Sequence, residues 1–90
     1  MNHPMLSLTD GQHVLFGMVC SKLRNDVLNR NLSSNQIYNL CEVIIQFDDP
    51  SYHTDCDFTP SESIQEFPER SFEIFSDFWE EYYDRIIESL

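Results

Sequence analysis

The stretch from Pro68 to Ser89, PERSFEIFSDFWEEYYDRIIES, decides the fold. Proline at its head is suited to the first position of a helix, and the 22 residues from 68 to 89 carry apolar and acidic side chains in a helical period. Advancing about 100° per residue from Glu69, the acids Glu69, Glu73, Asp77, Glu80, Glu81, Asp84 and Glu88 share a sector of about 120°. Phe72, Phe75, Phe78, Trp79, Tyr82, Tyr83, Ile86 and Leu90 fall between about 180° and 320°, with Ile74 and Ile87 outside that arc. Each aromatic side chain buries ~150 to 250 Å², so this helix is expected to supply much of the core of an all-α protein.

Upstream, Thr59-Pro60-Ser61-Glu62 combines a capping threonine, proline at the first helical position and glutamate at the third, predicting a short helix over 60–66 that stops before Pro68. Residues 48–58, DDPSYHTDCDF, have no period and read as an acidic loop, partly mobile. Before it, Ser33 and Gln36 form a capping box, and Ile37, Leu40, Cys41, Ile44 and Ile45 follow the i, i+3, i+4, i+7, i+8 rule, predicting a helix over 33–48. A further helix is expected over 8–30, capped by Thr9 or Asp10. Its buried face would be Phe16, Cys20, Leu23 and Val27, widened by Val14, Leu15, Met18 and Val19. Gly17 costs that helix ~1 kcal/mol relative to alanine unless it permits another helix to pack closely. The expected architecture is a single-domain bundle over 1–90, with three long helices, one short helix and an acidic loop between the second and third.

A chain of 90 residues with 41% hydrophobic and 13% aromatic content has enough apolar area to fold despite a net charge of −11. That charge is uneven. Residues 1–41 carry a balance of +1, and residues 42–90 carry −12. Binding bare nucleic acid or an anionic membrane would oppose this field, so the expected partner is a basic protein. No run is long enough to span a membrane and Met1 to Leu8 lacks the pattern of a signal peptide, from which a cytoplasmic location is expected.

A solvated helix usually alternates Glu with Lys at i, i+4. Here Glu69/Glu73, Glu73/Asp77, Asp77/Glu81, Glu80/Asp84 and Asp84/Glu88 are like-charge pairs, costing roughly 1 to 2.5 kcal/mol together, with Glu81/Arg85 the favourable pair. Acids toward the C-terminal end also oppose the helix dipole. Such a cost, in a domain with ~5 to 10 kcal/mol of stability, argues that the negative field is used. The spacing of ~4 Å per charge resembles one nucleic-acid strand more than a duplex, so partial mimicry enters as a secondary idea.

Catalytic and metal chemistry is not expected. Cys20, Cys41 and Cys56 have no C-x-x-C spacing, and Cys20 and Cys41 lie on apolar faces as buried free thiols. His53 and Cys56 sit among carboxylates, which would raise a thiol pKa and weaken a nucleophile. Gly11 and Gly17 make no phosphate-binding loop, and a ladder of solvated carboxylates lacks the contrasting environments of acid/base catalysis.

The sequence therefore points to a small acidic inhibitory binding protein, of the immunity-protein, antitoxin or phage-antagonist kind, covering the active site or channel of a basic toxin or nucleic-acid-processing enzyme. It is expected to be no enzyme, to need no cofactor and to bind no nucleic acid directly. The contact residues expected are the seven helix acids with Asp48, Asp49, Asp55 and Asp57, and the aromatic anchors Tyr52, Phe58 and Tyr83. The alternative is an adaptor or accessory subunit of a larger complex, with self-association through Phe72, Trp79 and Tyr83 left open.

Overall fold

A computed structural model describes residues 8–49 and 59–88. The chain is all-α, with α1 over Asp10–Leu23, α2 over Ser34–Phe47, α3 over Pro60–Glu66 and α4 over Ser71–Glu88. No strand occurs among the described residues. Tyr52, Asp55, Cys56, Asp57 and Phe58, with most of the expected acidic loop, lie outside them.

Three helices open on the same device. Thr9, Ser33 and Thr59 are N-caps whose hydroxyl oxygens accept the amides of Gln12, Gln36 and Glu62, and those side chains in turn accept the capping residue's amide. Each box satisfies donors that helix geometry leaves without an intrahelical partner.

The first helix is shorter than the expected 8–30. It begins at Asp10, and after Leu23 the chain widens into a π-helical turn over Arg24–Leu28. That turn ends where Asn29 adopts the left-handed conformation, φ 51°, and donates its amide to the Arg24 carbonyl. Asparagine is one of the few residues that enter this region readily. The last element also differs from the continuous helix expected over 68–89. Phe67 is non-helical, Pro68–Arg70 forms a tight 3₁₀ turn, and α4 starts at Ser71, whose hydroxyl donates to the Pro68 carbonyl at 2.6 Å.

One apolar cluster draws on all four helices: Leu15, Val19 and Leu23 of α1; Leu40, Val43, Ile44 and Phe47 of α2; Ile64 of α3; and Ile74, Phe75, Phe78, Tyr82 and Ile86 of α4. At its centre Phe78 is fully buried, stacked on Tyr82 at 5.2 Å, with Phe47 edge-on to both at 5.2 and 5.7 Å. These arrangements suit the ring quadrupoles and hold α2 against α4.

The buried faces are rotated from those the spacing implied. On α1, Leu15, Val19 and Leu23 are buried, whereas Phe16 and Cys20 are half-buried and Val14 is exposed, as is Val27 on the π-helical turn. On α2, Val43 and Phe47 turn inward, and Ile37 and Ile45 are exposed. On α4 the buried arc runs from Ile74 to Ile86, about 140° to 260° on the same scale, instead of about 180° to 320°. Ile74 is therefore core, and Phe72 and Tyr83 are outside it. Each helix has more apolar circumference than its neighbours can cover, so packing chooses which part is buried.

Candidate functional site

The surface of α4 outside the core divides into two bands. Glu73, Asp77, Glu80, Glu81, Asp84 and Glu88 are all exposed and occupy about 100° of the helix, on one side of the buried arc. Glu69 is also exposed but lies on the 3₁₀ turn, ahead of the α-helical register. Four of the five expected like-charge pairs therefore stand on true α-helical spacing. Arg70 reaches Glu73 at 3.5 Å, an exposed pair of small energetic weight. Arg85 makes no ion pair with Glu81, and its guanidinium lies 5.4 Å from the centre of the Tyr82 ring. Among the described residues the acid band therefore has one ion pair, at its N-terminal end, with Arg85 turned toward the Tyr82 ring.

On the other side of the buried arc runs an aromatic ladder. Phe72 faces Phe75 at 6.3 Å, Phe75 faces Trp79 at 5.8 Å and Trp79 faces Tyr83 at 5.3 Å. Phe75 anchors the ladder in the core, while Phe72 is 71% and Tyr83 40% exposed. Each outer ring is followed in sequence by an acid, in Phe72-Glu73, Trp79-Glu80 and Tyr83-Asp84. One residue is about 100° of rotation, so the two bands run side by side along the helix.

Asp48 is placed differently from the other acids. Its Oδ1 accepts the Ser61 amide at 2.9 Å, and its Oδ2 accepts the Ser61 hydroxyl at 2.5 Å and the Gln12 side-chain amide at 2.8 Å. It joins the end of α2 to the starts of α1 and α3. Ser61 and Gln12 are buried, and at Gly11 an added Cβ would collide with the Ser61 carbonyl oxygen. The carboxylate thus has an internal structural task. Asp49 follows it as an exposed residue.

Among the described residues an open groove of about 660 Å³ lies between α1 and the start of α4, lined by apolar Val14, Phe72 and Phe75 and by polar His13, Lys22 and Asn25, with Gly17 in its wall. Gly17 and Phe72 stand on different helices, and no sequence period joins them.

Among the described residues no cluster of His, Cys, Asp and Glu is arranged to hold a metal ion, and no helix is long and apolar enough to cross a membrane. Cys20 and Cys41 are free thiols, half-buried and buried respectively, and burial pushes both upward from the ordinary thiol pKa, at Cys20 against the opposing pull of Arg24. No protein-family model matches the chain, and no curated protein or solved structure is significantly similar to it. What fold and surface define is a small acidic helical bundle whose last helix carries an acid band beside an aromatic one.

Proposed function

We propose that this chain is a small acidic inhibitory binding protein, of the immunity-protein, antitoxin or phage-antagonist type. It neutralises a basic toxin or nucleic-acid-processing enzyme in the cytoplasm by covering its active site or substrate channel. The observation that carries the reading is the acid band of α4. Six exposed carboxylates, of which only Glu73 is ion-paired among the described residues, stand on a helix that would be more stable with lysines interspersed. A negative band next to exposed rings suits the two parts of such binding. Charge steers encounter toward ~10⁸ M⁻¹s⁻¹ or faster at low salt, and desolvated aromatic anchors slow dissociation. Partial imitation of a nucleic-acid strand is a refinement of the same idea.

The test is capture of the partner from the native cell at low and high salt, followed by assay of that partner's activity on nucleic acid. Changing Glu73, Asp77 and Asp84 together to lysine is expected to slow association sharply and to flatten its salt dependence. Unchanged inhibition and salt response would sink the reading.

A second reading, an adaptor or accessory subunit, is favoured by the exposed apolar side chains Val14, Ile37, Ile45, Phe67, Phe72 and Tyr83. Hydrogen exchange on the isolated chain separates the two. A protected core fits the inhibitor, and a chain that orders only with its partner fits the subunit.

A further inference from the structure

Ser76 is exposed on α4 and stands between the aromatic ladder and the acid band. Counting from Glu69 it lies at about 340°, after the outer rings at about 280° to 320° and before the α4 acids at about 20° to 120°. Surface neighbours on a helix lie three and four positions apart. Those of Ser76 are Phe72 and Trp79 on the ring side, and Glu73 and Glu80 on the acid side. A serine is short, so its position is a low point framed by four longer side chains. Two of them offer ring faces and two offer carboxylates.

The rings of this frame are presented differently. Trp79 is half-buried and held between Phe75 and Tyr83 at 5.8 and 5.3 Å, so it is already ordered, whereas most of Phe72 is open to solvent. Glu73 and Glu80 are exposed, and Glu73 is reached by Arg70 from the N-terminal side. The same helix thus already meets guanidinium groups of its own chain in two ways, with Arg70 on a carboxylate and Arg85 over the face of Tyr82. A guanidinium can do both at once, because it is planar, stacks by its face and donates hydrogen bonds in its plane. A lysine ammonium is a compact, strongly hydrated charge and lacks that geometry.

We propose that the frame around Ser76 receives an arginine side chain of the basic partner, its guanidinium lying against Phe72 and Trp79 and donating to the carboxylates of Glu73 and Glu80. This deepens the inhibitor reading and rests on it for the partner being a basic protein. What it adds is selectivity: α4 prefers an arginine-rich surface to a lysine-rich one of the same charge, where a plain acid band would accept either.

The probes are synthetic Gly-Arg and Gly-Lys repeat peptides of equal length and charge, titrated into the full chain at one salt concentration. Trp79 is the chain's single tryptophan, so its fluorescence reports on one wall of the site directly. The Gly-Arg peptide is expected to change that emission, to shift the Ser76 amide and the Trp79 indole in ¹⁵N spectra, and to bind roughly fivefold or more tightly than the Gly-Lys peptide. Ser76→Leu fills the low point with a better helix former, and Phe72→Ala removes an exposed ring. Both should keep the wild-type melting temperature and bring the two affinities together. Equal affinities in the wild type, or a preference for arginine that survives both substitutions, would overturn the site and leave the inhibitor reading to its own test. Shifts confined to Asp77, Glu81 and Glu88, on the far side of the acid band, would overturn it as well. A wild-type dimer in sedimentation that Ser76→Leu turns into a monomer would assign this face to a second copy and overturn the proposal. The expected preference, found alongside failure to capture any basic enzyme from the native cell, would uphold the site and sink the inhibitor reading.

Discussion

Removing the Asp48 carboxylate tests how the helix starts are held. Three donors converge on it, from the Ser61 amide, the Ser61 hydroxyl and the Gln12 side chain. Bonds to a charged acceptor contribute ~1.5 to 3 kcal/mol each, but they are not independent here, because two come from one residue. In Asp48→Ala all three donors lose their acceptor, and Ser61 and Gln12, at 4% and 7% exposure, are poorly placed to recover it from water. The expected loss is about 3 to 5 kcal/mol, a large share of the ~5 to 10 kcal/mol available to a domain of this size. Asp48→Asn keeps one carbonyl acceptor and turns an NH₂ group toward a donor, for which about 1.5 to 3 kcal/mol is expected. Urea unfolding followed by far-UV circular dichroism measures both. A loss below about 1 kcal/mol in Asp48→Ala, with an unchanged m-value, would refute the assignment of Asp48 to the internal joint.

Other changes separate structure from surface. Gly11→Ala places a methyl against the Ser61 backbone and should cost about 1 to 3 kcal/mol, whereas Gly17→Ala meets open space and should stabilise by ~1 kcal/mol; thermal melts of both read the contrast directly. Asp77→Lys replaces two like-charge pairs, with Glu73 and Glu81, by attractive ones, so a gain of about 1 to 2 kcal/mol at low salt is expected, shrinking as salt is added. Because the folded thiols of Cys20 and Cys41 titrate above their unfolded value, the stability linked to them is full below about pH 8.5 and is lost as pH rises above it. Stability measured at neutral and alkaline pH should show that loss in the wild type and less of it in Cys20→Ala/Cys41→Ala. Alkylation at pH 8 should also be slower than for a free thiol.

The acid band was legible in the sequence because a helix maps spacing onto angle by geometry alone, and α4 keeps that geometry from Ser71 to Glu88. Its first member was misplaced. Glu69 sits on a 3₁₀ turn because Phe67 departs from helical φ/ψ ahead of Pro68, and proline disfavours the helical conformation of the residue before it. The aromatic ladder was half legible. The rings and their spacing are in the sequence, but their exposure depends on where α1 and α2 press against α4. The role of Asp48 had no local signal at all, since its partners lie 13 and 36 positions away.

Local chemistry thus determined what is local: the all-α class, the caps at Ser33 and Thr59, the boundaries of α3 and the common face of the α4 acids. The capping box of Thr9 with Gln12 is written in the same local terms and decides between the two caps the sequence offers, Thr9 and Asp10. Tertiary packing decided the rest, because each long helix has a wider apolar surface than a small core can bury. Which arc turned inward was settled by the fit of Phe47 against Phe78 and Tyr82 and by the joint at Asp48, Ser61 and Gly11. The same choice left Phe72 and Tyr83 outside and opened the groove beside Gly17. Periodicity constrains one helix at a time, and a groove belongs to two.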